Sequence, residues 1–236
     1  MRMSIETIVN LLNAKRIGNR EAEIDWILTD SRSLCFPEET LFFALKTKRN
    51  DGHKYLSDLY ERGVRNFVVS ELPENMDHYE NTNFLQVPHP LKALQRLVEK
   101  YRLQFDVPVI GVTGSNGKTV VKEWLYQLLS PERIITRSPR SYNSQIGVPL
   151  SVWLMNDKTE LGIFEAGISE MGEMEALQSI IRPTVGILTN IGGAHQENFY
   201  STSEKCMEKL LLFKDCDVVV YDADDELISS CVAKSL

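Results

Sequence analysis

Cysteine is scarce in this chain and carries no pattern. Cys35, Cys206, Cys216 and Cys231 form no C-x-x-C pair, and histidine occurs only four times. A structural zinc site is therefore not expected, and free thiols in a reducing compartment are the default. Long apolar runs are missing too, so no membrane insertion is expected. There is no dense Lys/Arg tract, and the net charge is −7. That argues against nucleic acid or an anionic membrane as partner, while leaving room for a local basic pocket. The first fourteen residues are amphipathic, with Glu6 and Asn10 interrupting any apolar core. No signal peptide is read there, and a cytoplasmic location is predicted. Repeats and low-complexity tracts are absent. What remains is an ordinary globular composition, 43% hydrophobic and 25% charged over 236 residues. It suits one large or two ordinary domains with a sizeable core.

The most informative segment is Gly111-Val-Thr-Gly114-Ser-Asn-Gly117-Lys118-Thr119. An apolar, β-rich run (Val107 to Val112) precedes it. A helix marked by Val121, Trp124, Leu125, Leu128 and Leu129 follows. Strand, glycine loop, Lys-Thr and helix together make a phosphate-binding loop: backbone N–H groups and the helix N-terminus face phosphate oxygens. Lys118 is placed to reach terminal phosphates and the Thr119 hydroxyl to hold Mg²⁺. Val112 stands where the strict loop pattern has its first glycine. The bland alternative is a glycine-rich turn with no ligand.

The rest of the chain frames this loop. Helical spacing at Ile5, Ile8, Val9, Leu11 and Leu12 predicts an opening helix. Strands are read at Ile24 to Leu28, Leu41 to Leu45, Asn66 to Ser70 and Asn83 to Val87, with a helix around Tyr55 to Tyr60 that stops at Gly63. Pro90 opens a helix reaching Tyr101. From Val107 strands and helices alternate, which predicts βαβ units and a mostly parallel sheet. The predicted fold class is α/β: a small N-terminal α/β domain over residues 1–85, a bridging helix over 86–106, and a P-loop-type, mostly parallel domain over 107–236.

Other residues suit chemistry without requiring it. Glu165 ends an apolar strand, where a carboxylate could ligate Mg²⁺ or simply be hydrogen-bonded. Asn190 and His195 follow another strand and face the same sheet edge, where ligands of such sheets bind. Periodicity alone reads Lys209 as a solvated lysine on a helix whose apolar face is Met207, Leu210, Leu211 and Phe213. Thr29 to Arg32 and Lys46 to His53 are dense in donors that suit an anionic head group, or else a turn and cap with solvated charges.

Taken in order, these segments resemble the Mur ligases, in particular the branch that joins D-alanyl-D-alanine to UDP-N-acetylmuramoyl-tripeptide. The resemblance rests on T-D-S-R (29–32), L-F-F-A-L-K with D-G-H (41–53), T-G-S-N-G-K-T (113–119), Y-N-S-Q-I-G-V-P-L (142–150), F-E-A-G (164–167), R-P-T-V-G-I-L-T-N-I-G-G-A-H (182–195) and E-N-F (197–199). It implies a UDP-substrate site using Thr29, Asp30, Ser31, Arg32, Lys46, Asn50, Asp51, Gly52, His53, Asn143 and Ser144. It implies ATP binding by Thr113, Gly114, Ser115, Asn116, Gly117, Lys118, Thr119 and Asn190. Mg²⁺ would be held by Thr119, Glu165, His195 and Lys209, the last as its carbamate. Lys118, Glu165, His195 and Lys209 would be the catalytic set. The implied reaction is ATP-driven amide formation in peptidoglycan synthesis through an acyl phosphate.

Ser144, Gln145, Gly193 and Asp222 depart from residues frequent in that family. The resemblance also implies three domains, and the chain ends inside the second. A fragment inactive on its own is therefore expected. In some lineages the ligase is fused to an alanine racemase; such a domain would lie beyond residue 236 and would bring PLP with it. Three alternatives stay open: another Mur-type or folylpolyglutamate-type amino acid ligase, a P-loop kinase or NTPase, or a non-catalytic nucleotide-binding module.

Overall fold

The computed structural model describes residues 2–47, 50–193 and 198–235. In chain order its elements are β1 (Met3–Ser4), α1 (Ile5–Leu12), β2 (Lys15–Ile17), β3 (Glu23–Ile24), β4 (Trp26–Leu28), β5 (Thr40–Phe43), α2 (Leu56–Glu61), β6 (Asn66–Val69), β7 (Asn83–Gln86) and α3 (Pro90–Arg102). There follow β8 (Val109–Thr113), α4 (Lys118–Leu129), β9 (Ile135–Arg137), α5 (Gly147–Val152), β10 (Leu161–Glu165), α6 (Met174–Ile181), β11 (Val185–Leu188), α7 (Thr202–Leu210), β12 (Val218–Val220) and α8 (Glu226–Ser235). The chain divides into two compact units between Lys100 and Tyr101, within α3.

In the first unit the described strands form a sheet in the order β2-β7-β6-β5-β4, beside a small β1-β3 pair. β4, β5, β6 and β7 run parallel, and β2 joins β7 antiparallel. Thr40 to Phe43 and Asn66 to Val69 are buried throughout, as strands covered on both faces must be. Phe42, Phe67, Phe84, Leu56 and Leu59 centre the core. The stretch read as one strand, Ile24 to Leu28, is two strands in different sheets. At the break, Asp25 and Trp26 both donate their N–H to the Glu39 carbonyl, so the chain steps from β3's partner to β5.

The second unit is a parallel sheet ordered β12-β11-β8-β10-β9. β8 lies between β10 and β11, with Val112 opposite Glu165 and Thr113 opposite Leu188. One helix face departs from the sequence reading. Val121, Leu125 and Leu129 of α4 pack on Val112, Leu161 and Ile163. Trp124 and Leu128, expected on the apolar face, are 62% and 74% exposed. They belong to the 120–124–128 row, about 100° around the helix from the row that meets the sheet.

Candidate active site at the carboxyl edge of the parallel sheet

β8 delivers the glycine loop and α4 begins directly after it. Gly114 has φ +141°, and a Cβ there would lie 2.0 Å from Thr189 Oγ1, so a side chain cannot be accommodated. Gly117 has φ +81° with open space around it; only its backbone conformation calls for glycine. The loop is held by the segment after β11. Asn190 accepts from Ser115 N with its carbonyl (2.8 Å) and from Asn116 N with Oδ1 (3.1 Å). Thr189 Oγ1 donates to the Asn116 carbonyl (2.6 Å), and Ser115 Oγ exchanges hydrogen bonds with the Gly192 backbone. Asn190 therefore braces the loop. Thr113 is buried and ties β8 to β10 by donating to the Ala166 carbonyl.

Glu165, the last residue of β10, is fully buried beneath the loop. Its carboxylate oxygens accept from Thr119 Oγ1 at 3.0 and 3.2 Å. Oε1 also meets Lys122 Nζ at 3.1 Å, and Oε2 takes a long bond, 3.4 Å, from Asn143 Nδ2. Lys118 Nζ donates to the Gly114 and Ser115 carbonyls. Burial pulls its pKa down, opposed by the charge of Glu165.

Lys209 is the residue for which periodicity gave the wrong environment. It is 3% exposed, and its side-chain ammonium makes no hydrogen bond or ion pair among the described residues. It lines a cavity of about 130 Å³ together with Gly114, Ser115, Lys118, Asn143, Ser144 and Gly167. Burial, then the nearby charges of Lys118 and Lys205, lower its pKa to about 8. The inward face of α7 carries Lys205, Glu208 and Lys209 as well as Cys206 and Leu210, while Leu211 is 42% exposed. Lys205 donates to the Gly192 carbonyl. Glu208 accepts from Gly172 N and Met174 N, anchoring the start of α6. His195 lies outside the described residues.

The structure thus gathers Lys118, Thr119, Glu165, Asn143, Ser144, Asn190 and Lys209 at one sheet edge. Lys122, Ser138, Ser141 and Lys205 belong to the same network and were not singled out from sequence. The one signal that could have found Lys122 is its spacing, one turn after Lys118.

The remaining candidates lie in the first unit. Thr29 follows β4. Asp30 caps the short turn Ser31–Ser33 by accepting from Arg32 N, and the exposed Arg32 guanidinium folds back on it at 2.6 Å. Those hydrogen bonds hold the Asp30 carboxyl below its usual range. The Ser31 carbonyl accepts from Arg62. Lys46 faces Asp51 and Glu71 at 3.6 and 3.5 Å, and Asn50 bonds Thr47. Gly52 sits where a Cβ would be 2.8 Å from Ala44 Cα. His53 Nδ1 meets Asp51 Oδ1 at 2.6 Å, and Nε2 accepts from Ser70 N at 3.1 Å, so the hydrogen resides on Nδ1. The Asp-Gly-His motif is thereby a lock between the ends of β5 and β6. Lys48 and Arg49, between these residues, lie outside the described residues.

Residues 112–235 match the Mur ligase middle domain. The chain is 33% identical over 218 residues to the UDP-N-acetylmuramoyl-tripeptide–D-alanyl-D-alanine ligase of Bacillus subtilis, covering 90% of this chain and 47% of that protein. The enzyme of that name from Borreliella burgdorferi is 31% identical over 244 residues, covering 98% and 52%. Among solved structures, MurF ligase from Thermotoga maritima in complex with ADP superposes with a TM-score of 0.76 at 27% identity, over 96% of this chain and 49% of that one. MurF from Acinetobacter baumannii shares the fold with a TM-score of 0.84 at 24% identity, over 99% and 52%. The chain spans about half the length of the curated relatives it matches. With a family match over more than half its residues, and a loop, strand-end glutamate and buried lysine meeting at one sheet edge, the chain belongs to the Mur ligase family.

Proposed function

We propose that the whole protein is an ATP-dependent ligase of peptidoglycan precursor synthesis, joining D-alanyl-D-alanine to UDP-N-acetylmuramoyl-tripeptide through an acyl phosphate. In this reading residues 1–85 bind the UDP-linked substrate, 86–106 bridge, and 107–236 bind ATP. The observation that carries it is the gathering of Lys118, Thr119, Glu165 and Lys209 at one sheet edge, where Lys118 and Lys209 line the cavity and Thr119 meets Glu165. Relatives named for this reaction, and an ADP complex among the structural neighbours, point the same way. Among the described residues no helix is long and apolar enough to cross a membrane. The cysteines are free thiols, and the proposed location is the cytoplasm.

The donor set fits Mg²⁺. A carboxylate and a hydroxyl oxygen lie in contact at Glu165 and Thr119. No cluster of three acidic, His or Cys ligands stands among the described residues. That leaves most coordination positions to phosphate oxygens and water, the usual arrangement for this ion. When bound, Mg²⁺ supplies positive charge that offsets the repulsion between a carboxylate nucleophile and the γ-phosphate. Lys118 would bind the terminal phosphates, and the backbone of the Gly114 to Thr119 segment would hold the others. Lys209, as its carbamate, would offer oxygens in place of a repelling ammonium, and His195 is assigned to the same ion from the family resemblance. The UDP-linked substrate is assigned to Thr29, Asp30, Ser31, Arg32, Lys46, Asn50, Asp51, Gly52, His53, Asn143 and Ser144. Phosphate release by the whole protein that requires both UDP-N-acetylmuramoyl-tripeptide and D-alanyl-D-alanine is the expected result. Release with a different acceptor amino acid, or with none, would overturn the assignment.

A further inference from the structure

Lys122 is a fully buried lysine on α4. A buried ammonium is tolerated only when its hydrogens are all placed. Its Nζ donates to the carbonyls of Ser138 (2.8 Å) and Arg140, and it faces Oε1 of Glu165 and Oε1 of Glu123, each at 3.1 Å. Glu123 in turn pairs with Arg137, whose guanidinium lies 4.0 Å over the Tyr126 ring. Charges therefore alternate from Arg137 through Glu123 and Lys122 to Glu165.

Two consequences meet at the carboxylate. Oε1 is engaged by Lys122 and Thr119, whereas Oε2 has Thr119 and only the long bond from Asn143. Lys122 also fixes the carbonyl of Arg140, a residue held at φ 49°. That residue begins the segment in which Ser141 reaches Thr119 and Asn143 reaches Glu165. One side chain thus sets both the carboxylate and the loop beside it.

We propose that Lys122 is a positioning residue: it pins Oε1 of Glu165 and the 138–144 loop, so that Oε2 is the oxygen presented to the metal. The inference rests on the ATP and Mg²⁺ reading of the site. Outer partners of metal ligands commonly contribute about 10- to 100-fold to metal affinity. The test is calorimetric titration of the 236-residue chain with ADP, with Mg²⁺ and with EDTA, comparing wild type, Lys122→Met and Lys122→Gln. Wild type is expected to bind ADP more tightly with Mg²⁺. Both variants should lose about 10- to 100-fold of that gain and keep the affinity for metal-free ADP. Gln retains a donor for the carbonyls, so it carries the test should the Met variant fail to fold. Variants that keep the full Mg²⁺ gain would overturn the proposal. So would variants that lose metal-free and Mg²⁺-dependent affinity alike, since Lys122 would then be structural only. A wild-type chain that binds ADP with no Mg²⁺ gain would instead overturn the Mg²⁺ reading of the site, and one that binds no ADP would overturn the nucleotide reading. A crystal structure with Mg²⁺ and ADP gives the direct check: metal on Oε2 with Lys122 retained on Oε1 is expected, and metal on Oε1 with Lys122 displaced refutes it.

Discussion

Replacing Lys209 by Met should stabilise the protein while removing its proposed function. The ammonium is 3% exposed and lowered from 10.5 to about 8, first by burial and then by Lys118 and Lys205. A shift of that size corresponds to about 3 kcal/mol of cost to the folded state while the group is charged. Methionine has similar length and no charge, so up to about 3 kcal/mol should be regained at pH 7. For a unit of this size that is a rise in Tm of roughly 5–10 °C. The sign with pH follows from proton uptake. Below about pH 8 the lysine is protonated in both folded and unfolded chains, and the whole cost is felt. Between about 8 and 10.5 the unfolded chain holds the proton and the folded one does not, so wild-type stability rises with pH and the advantage of the variant shrinks. Above 10.5 the two should converge. Thermal unfolding across this range, in bicarbonate-free buffer, is the assay, followed through the transition of the second unit because two units need not melt together. Added bicarbonate should raise the wild-type Tm alone, by converting the amine to its carbamate. A variant less stable than wild type at pH 7, or a difference independent of pH, would refute the reasoning.

Three further outcomes are expected. Lys118→Ala in the whole protein should reduce turnover by roughly 100- to 1,000-fold while calorimetry shows unchanged affinity for UDP-N-acetylmuramoyl-tripeptide; parallel loss of both would mean that the two sites are not separable. Gly114→Ala should abolish ADP binding, because its Cβ meets Thr189 Oγ1 at 2.0 Å, whereas Gly117→Ala should cost only about 1–2 kcal/mol for its left-handed φ; equal effects in ADP titration and melting would contradict this. His53→Ala should destabilise the first unit by about 1–3 kcal/mol, read by urea unfolding, since it breaks the bonds to Asp51 and Ser70; an unchanged midpoint would mean the lock contributes nothing.

Much of this architecture was legible because pattern and chemistry coincide. The helix read after the glycine loop runs Lys118–Leu129, since Gly117 ends the turn and no breaker follows until Pro131. Glu165 was readable because four apolar residues lead into it, and a carboxylate at such a strand end invites a partner. The failures share one cause: periodicity detects apolar residues facing a core and is blind to buried charge. It chose Trp124 and Leu128 over Lys122 on α4, and it left Lys209 in solvent. Only the resemblance recovered Lys209, and nothing recovered Lys122 or Lys205, whose partners include backbone carbonyls brought near by distant segments. The split at Asp25 was invisible for a similar reason, because it depends on the Glu39 carbonyl fourteen residues on.

The placement of charge explains why these sites defeat a one-dimensional reading. The chain is acidic overall, with a net charge of −7, yet the carboxyl edge of the parallel sheet gathers Lys118, Lys205 and Lys209 closely enough for the first two to depress the third. Glu165 offsets this group only in part, because its carboxylate is shared with Lys122. Folding alone would not select such a surplus, since like charges brought together in a poorly solvated pocket destabilise the unit. An anion bound among them reverses the sign of that energy. The cost of the cluster is then the counterpart of its affinity for phosphate, as conflicts between local rules and stability are expected at functional sites. ADP should accordingly stabilise wild type more than Lys118→Ala, and the difference should persist at salt concentrations that screen exposed charges, because buried groups are screened far less. Stabilisation by ADP that vanished in high salt would place the nucleotide on the surface, not among these lysines.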